Sequence, residues 1–420
     1  MAEWTTEVFE NEYLPAEATD VHAIVTVTCA GAGTAGQSGA AAEVIIVDTS
    51  GSMSSPRSKI VSARQAAAAA IDELVDGTWF AVIAGANQGQ VVYPRRGSMV
   101  QATADTREGA SQAVAHLDAS GGTAIGHWLT TATHLFQTVK ATQRHAILTD
   151  GRDESESVQE LQAGISGATG VFQCDCRGVG ADWEVDELRQ IGSALLGTVD
   201  IIAEPEAMAA DFRGMMRASM GRGVADAKLR VWTPQGSNLE FVRQVAPTIE
   251  DLTDRAVPVS ELIREYPTGS WGNESRDYHV SVRVPPKSLG AEQLVARVQL
   301  VVRDEVVGQG LVRATWSDDN TLTTRINPAV AHYTGQAELA SVIQEGLAAK
   351  AAGDDATATL KLGRAAQLAA ETGNDEATNK LRRVVEITDA DTGTVRLKRD
   401  VSRLDEMALD TSSTKTTRVR

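Results

Sequence analysis

Between residues 41 and 220, short apolar runs alternate with helical stretches, and few folds can absorb that rhythm. The run 43–50, EVIIVDTS, is too short for a globular helix and is flanked by turn formers. It therefore reads as a strand buried on both faces. Ser55-Pro56 opens a helical stretch reaching about Leu74, with Pro56 suited to the first turn. Strands are then expected over 78–85, 90–94, 145–150, 170–176 and 198–202. Helices are expected over 104–117, about 125–139, around 156–164, near 184–194 and over 205–219. A series of this kind predicts an α/β domain with a doubly wound, mostly parallel sheet.

The 420 residues exceed the roughly 250–300 at which single cores stop growing, so more than one domain is expected. From Lys228 the pattern becomes alternating, in runs such as KLRVWTP, LEFVRQVAP and DYHVSVRVP, which suggests an antiparallel sandwich. After Pro328 the chain turns Ala-rich, with helices expected over 335–350, 355–372 and 375–386. The expected organisation is an N-terminal segment over 1–40, the α/β domain over 41–222, a β-sandwich over 223–330, a helical segment over 331–390 and a flexible tail over 391–420. A strand at 22–29, HAIVTVTC, lacks a helical partner before it and could belong to either sheet.

Composition narrows the function classes. A formal charge of −17 argues against a broad nucleic-acid surface. The start lacks the basic and apolar regions of a secretory peptide, and no stretch approaches the ~20 apolar residues of a membrane span. Three cysteines make no disulfide framework, so a cytoplasmic location is expected.

The chemistry-bearing residues gather at predicted strand ends. Asp48, Ser50 and Ser52 follow the buried run 43–47, with Gly51 permitting close backbone approach. Ligands of open α/β sheets sit at the carboxyl ends of the strands, so these side chains stand at that edge. Thr123, in the loop Gly121-Gly122-Thr123-Ala124, and Asp150, at the end of 145–150, are expected there too. A set of oxygen donors suits a hard ion, Mg²⁺ foremost, with Mn²⁺ or Ca²⁺ admissible.

This set resembles the metal-ion-dependent adhesion site of von Willebrand factor A-type domains: Asp-x-Ser-x-Ser at Asp48, Ser50 and Ser52, then Thr123, then Asp150. The resemblance covers about 41–220 and implies a Rossmann-like fold with a metal bound by those five residues. It also implies an open metal position that a partner protein's Asp or Glu fills, and no catalysis. The following sandwich and helices resemble, more loosely, intracellular bacterial A-domain proteins and the architecture of inter-alpha-trypsin inhibitor heavy chains and calcium-activated chloride channel proteins. The expected function is a metal-dependent interaction module in an intracellular scaffold or adaptor. Alternatives are a subunit working with a separate AAA+ ATPase in a chaperone-like complex, a structural protein, or a signalling adaptor acting through its tail.

Other chemistries fare worse. A haloacid dehalogenase-type phosphatase needs a second aspartate two positions after the first, and Ser50 stands there. No phosphate-binding G-x-x-x-x-G-K-[ST] loop occurs, and the glycines at 31–36 read as a connector. His127 and His134 could share a helix face but lack zincin spacing; His116 and His145 offer no better case. Cys174 and Cys176 read as core thiols, and Met208, Phe212 and Met215 as a core-facing helix stripe. Trp232 and Trp271 read as structural anchors of the sandwich. The hydroxyl-rich end, Thr411–Thr417 among Lys415, Arg418 and Arg420, is a candidate for a kinase or a phosphothreonine-binding partner.

Overall fold

The strand that ends in Asp48, Ala41–Asp48, runs near the middle of a seven-stranded sheet, buried along its whole length. A computed structural model describes residues 2–34, 40–149 and 155–418. It divides into two units, the first built from Gly31–Asp226 and Gly269–Asn273, with Ala2. Across its sheet the order is Val199–Ile202, Gln173–Val179, Gln143–Thr149, Ala41–Asp48, Trp79–Gly85 and Gly89–Tyr93. The first five are parallel to one another; Gly89–Tyr93 and the short Val100–Gln101 pair antiparallel with Trp79–Gly85.

From Ala41–Asp48 the chain goes first to one neighbour, Trp79–Gly85, and later returns to the other, Gln143–Thr149. That reversal opens a crevice at the carboxyl end of the central strand, the position where such sheets bind ligands. One face carries Ser58–Asp72, Ala104–Ala115 and Met208–Met220, packed on Ile45, Val47, Phe80 and Val82. Met208, Phe212 and Met215 lie in this core.

Several sequence-based boundaries move. The helix expected around 156–164 runs from Val158 to Ala168 and turns at Gly170, which has φ +75°. The next strand therefore begins at Gln173 rather than 170. The closing helix starts at Met208, behind a short 3₁₀ turn at Pro205–Ala207.

The second unit holds Glu3–Ala30, Ala227–Thr268 and Glu274 onward. An antiparallel five-stranded sheet is ordered Glu3–Glu10, Asp20–Ala30, Glu274–Arg283, Asn238–Ala246 and Glu250–Asp251. The strand foreseen at 22–29 is the second of these. A six-stranded sheet includes Glu292–Val302 and Glu305–Trp316, which form a long hairpin. Gly308 and Gly310 let that hairpin approach the other sheet: a Cβ at Gly308 would stand 2.5 Å from Thr6 Oγ1, and one at Gly310 2.4 Å from Val8 Cγ2.

Helices Pro328–Ala351 and Asp355–Glu371 follow, joined through Gly353 at φ +77°, and then Asp375–Val384. Their core is made by Leu339, Ile343, Leu362, Ala366 and Leu381. The segment 391–420, expected to be flexible, is ordered through its described part. It contributes Thr394–Leu397, paired with Val385–Asp389, and a helix Arg403–Ser412 that buries Met407 and Leu409. Thr411 and Ser413 are buried as well, whereas Thr417 is exposed.

Candidate functional site

Three loops converge at the crevice edge, held together by backbone hydrogen bonds. The Thr49 amide donates to Gly85 O at 2.7 Å, the Ser120 amide to Thr49 O at 2.7 Å, and the Gly51 amide to Gly121 O at 2.9 Å. A Cβ at Gly51 would lie 3.1 Å from that same carbonyl, a tight contact. Gly121 has φ +84°, and the Gly122 amide donates to Asn87 Oδ1 at 2.5 Å. Thr123 is buried in the bend that follows. Its amide donates to Ser155 Oγ at 3.0 Å, and its carbonyl accepts from the Ser155 amide at 2.9 Å.

Asp48 lies at the bottom of this cluster and is fully buried. Its amide donates to Thr149 Oγ1 at 2.8 Å, tying the ends of two adjacent strands. Oδ1 accepts from the Ser50 amide at 2.6 Å, while Oδ2 has no hydrogen-bond partner among the described residues. Burial pushes the carboxyl up to about 7, opposed by the Ser50 hydrogen bonds and by the charge of Lys59. Lys59 is itself buried and pairs with Asp182 at 2.5 Å. Ser50 and Ser52 meet hydroxyl to hydroxyl at 2.9 Å.

A buried carboxylate oxygen with no partner is costly unless a cation or donor reaches it. Beside it stand hydroxyls, which are hard oxygen donors, so this part of the set fits a small divalent ion. Asp150, the fifth residue of the sequence pattern, lies outside the described residues. Among the described residues no group of three or more His, Cys, Asp or Glu could hold a metal.

Residues 42–201 match the family model of the von Willebrand factor type A domain, and 367–413 match that of the von Willebrand factor type A C-terminal domain. The chain also superposes on the von Willebrand factor type A protein from Catenulispora acidiphila. That match has TM-score 0.95 and 48% identity, over 99% of this chain and 97% of the other. This chain belongs to the von Willebrand factor type A family.

More distant solved structures share the fold. The ArnB paralog VWA2 from Sulfolobus acidocaldarius aligns over 98% of both chains with TM-score 0.59 and 13% identity. The human COPII-coat protein Sec24c aligns over 90% of this chain and 58% of its own, with TM-score 0.54 and 9% identity. No curated protein matches the chain. Family membership makes the A domain a protein-interaction domain and places the chain in a generally non-catalytic family.

Several supporting residues of the A domain escaped the sequence pattern. Thr149, Asn87 and Ser155 hold the backbone of the cluster, and Glu156 accepts from the Gly126 amide at the start of helix Ile125–Gln137. Thr149 had the plainest signal, because it directly precedes Asp150 at a strand end. Cys174 and Cys176 are buried free thiols 3.9 Å apart, and Cys29 is likewise free.

A second polar cluster crosses three strands of the A domain. His145 Nδ1 faces Glu43 Oε2 and its Nε2 faces Asp175 Oδ2, both at 2.9 Å, with all three residues buried. Glu43 also accepts from Ser219 Oγ at 2.6 Å, and Asp175 from the amide and hydroxyl of Thr198 at 2.7 Å each.

Proposed function

We propose that the A domain binds a divalent cation, Mg²⁺ foremost and Mn²⁺ or Ca²⁺ alternatively, through Asp48, Ser50, Ser52, Thr123 and Asp150. The observation that carries this reading is the buried Asp48 Oδ2, without a partner among the described residues, beside the paired Ser50 and Ser52 hydroxyls. Two carboxylates roughly balance a divalent ion, so the bound ion stays electrophilic toward another anionic oxygen. An Asp or Glu of a partner protein would supply that oxygen, and the chain would act as a metal-dependent adaptor or scaffold.

The protein's own residues prepare the grip. Thr149 and the Ser120, Gly51 and Gly122 amides fix the loops, so few groups need ordering when a partner docks. Three free thiols suit a reducing, intracellular setting. The sandwich and helices would orient the A domain or hold a second partner, as in the looser likeness to inter-alpha-trypsin inhibitor heavy chains, with no channel activity carried over. An AAA+ ATPase is a narrower candidate partner, and its co-purification with the chain would single it out. A kinase acting on the C-terminal segment would find Thr417 exposed but Thr411 and Ser413 buried.

Calorimetry with Mg²⁺ and Mn²⁺ tests the metal. Wild type should bind after chelator treatment, and a folded Asp48→Ala, Asp150→Ala double variant should not. Wild type that takes up neither ion overturns the proposal.

A further inference from the structure

In the second unit a cavity of about 490 Å³ opens beside Asp277, walled by Phe9, Ile24 and Pro328, with Glu7 among its lining residues. Asp277 is the most deeply placed charge there, its side chain 3% exposed. Its Oδ1 accepts from Thr26 Oγ1 at 2.7 Å and from Arg418 Nη2 at 2.6 Å. Its Oδ2 accepts from Arg418 Nε at 3.0 Å and from the Tyr333 hydroxyl. Arg418 thus meets the carboxylate with two parallel N–H donors, the geometry that distinguishes guanidinium from ammonium.

The two partners of this pair differ in permanence. Asp277 and Thr26 sit in neighbouring strands, Glu274–Arg283 and Asp20–Ala30, and Tyr333 in the long helix Pro328–Ala351. Arg418, by contrast, is 42% exposed and lies in a strap whose described residues 415–418 include no apolar side chain. The strap is held by polar bonds: the Thr416 hydroxyl to Val245 O at 2.5 Å, the Thr416 amide to Pro247 O at 3.1 Å, and His332 Nε2 with Thr417 O at 2.7 Å. The carboxylate requires a cation because it is buried, yet the cation it has is the replaceable member. The cavity volume remains with Arg418 in place and lies in the range of ligand pockets.

We propose that this pocket is a receptor for an arginine side chain, occupied in cis by Arg418 and available to an arginine-bearing partner peptide when the strap leaves. Asp277, Thr26 and Tyr333 would take the guanidinium, and Phe9, Ile24 and Pro328 its alkyl stem. Glu7 and the chain's charge of −17 favour a basic peptide over a neutral one. This site is separate from the A-domain centre and stands or falls independently of it.

Chemical rescue of full-length Arg418→Ala tests the pocket. Ethylguanidinium at millimolar concentration should raise the melting temperature of the variant, and ethylammonium at equal ionic strength should do so far less. Wild type and an Arg418→Ala, Asp277→Asn double variant should show no such selectivity. A labelled, amidated Thr-Lys-Thr-Thr-Arg peptide should bind Arg418→Ala at least tenfold more tightly than wild type, by fluorescence anisotropy. In wild type, excess peptide should speed hydrogen exchange of the Thr416 amide, a readout that does not depend on any variant folding. Unselective rescue of a folded variant, or a Thr416 amide indifferent to peptide, overturns the proposal. Light scattering that shows a wild-type dimer lost in Arg418→Ala would assign the pocket to a second copy's strap and overturn the partner-peptide form.

Discussion

His145 holds its Nδ1 2.9 Å from the Glu43 carboxylate in the interior of the A-domain sheet. Asp175 faces the other ring nitrogen at the same distance. Ionised carboxylates accept and do not donate, so a ring lying between two of them carries both protons and a charge.

The pH dependence of A-domain stability follows from this arrangement. Burial works to lower the His145 pKa, but the charge of Glu43 and the hydrogen bonds to Asp175 and Glu43 outweigh it and raise it to about 9. Burial likewise opposes ionisation of Asp175, and His145 overcomes it, holding that carboxyl well below its usual range. A raised His pKa contributes stability that is complete below its ordinary value near 6.5 and is lost as pH climbs through about 9. The depressed Asp175 contributes stability that is present above about 3.8 and is lost on acidification. The alkaline loss should be on the order of 3 kcal/mol. Urea unfolding from pH 5.5 to 10 should show it in wild type, with His145→Gln less stable at pH 6 and lacking the alkaline decline. Parallel profiles for the two proteins would show that the triad does not hold the charge.

Magnesium should stabilise wild type and leave Asp48→Asn unmoved. An ion that binds only the folded site adds about 2.7 kcal/mol at a hundred times its dissociation constant. In chelator, however, Asn removes a buried carboxylate whose Oδ2 has no partner among the described residues, so the variant should be at least as stable as wild type. Melting curves of both proteins with chelator and with Mg²⁺ decide this. A variant less stable than wild type in chelator would mean Asp48 serves the fold and not an ion.

Thr149→Val should cost about 1–3 kcal/mol although its shape is conserved. The hydroxyl it removes accepts from the buried Asp48 amide and ties the two strand ends at the sheet's carboxyl edge. Thr149→Ser should recover most of the loss. Denaturant midpoints for the three proteins test the point, and a valine variant as stable as wild type would contradict it.

The A domain was legible because the apolar run 44–47 marks its central strand and the Asp-x-Ser-x-Ser pattern follows directly at the end of that strand. Asp48, Ser50 and Ser52 fall within five residues, and Gly121-Gly122 announce the turn before Thr123. The His145 network left no such trace. Its carboxylates come from strands 102 and 30 residues away, and only the parallel pairing of those strands brings them to one ring. The C-terminal segment was misread for a related reason. Hydroxyl and basic residues without apolar periodicity normally signal mobility. Here Arg418 is anchored on Asp277, 141 residues earlier, and Thr416 on the backbone carbonyls of Val245 and Pro247.

The Arg418–Asp277 pair should respond asymmetrically to the loss of either member. Arg418→Ala strands a carboxylate that is 3% exposed, whereas Asp277→Asn frees a guanidinium that is already 42% exposed and readily hydrated. Breaking a buried pair costs about 3–5 kcal/mol. Thr26 and Tyr333 remain on the carboxylate in the first variant, and solvent screens the arginine, so a cost of roughly 2–3 kcal/mol is expected. Asp277→Asn should cost about 1 kcal/mol, because an amide can still accept from Thr26 or Tyr333. The double variant should be more stable than Arg418→Ala alone, since it no longer buries an unpaired charge. Unfolding free energies of the four proteins complete the cycle. A truly mobile C-terminal segment would leave Arg418→Ala within about 0.5 kcal/mol of wild type, and with that result the strap would lose its structural role.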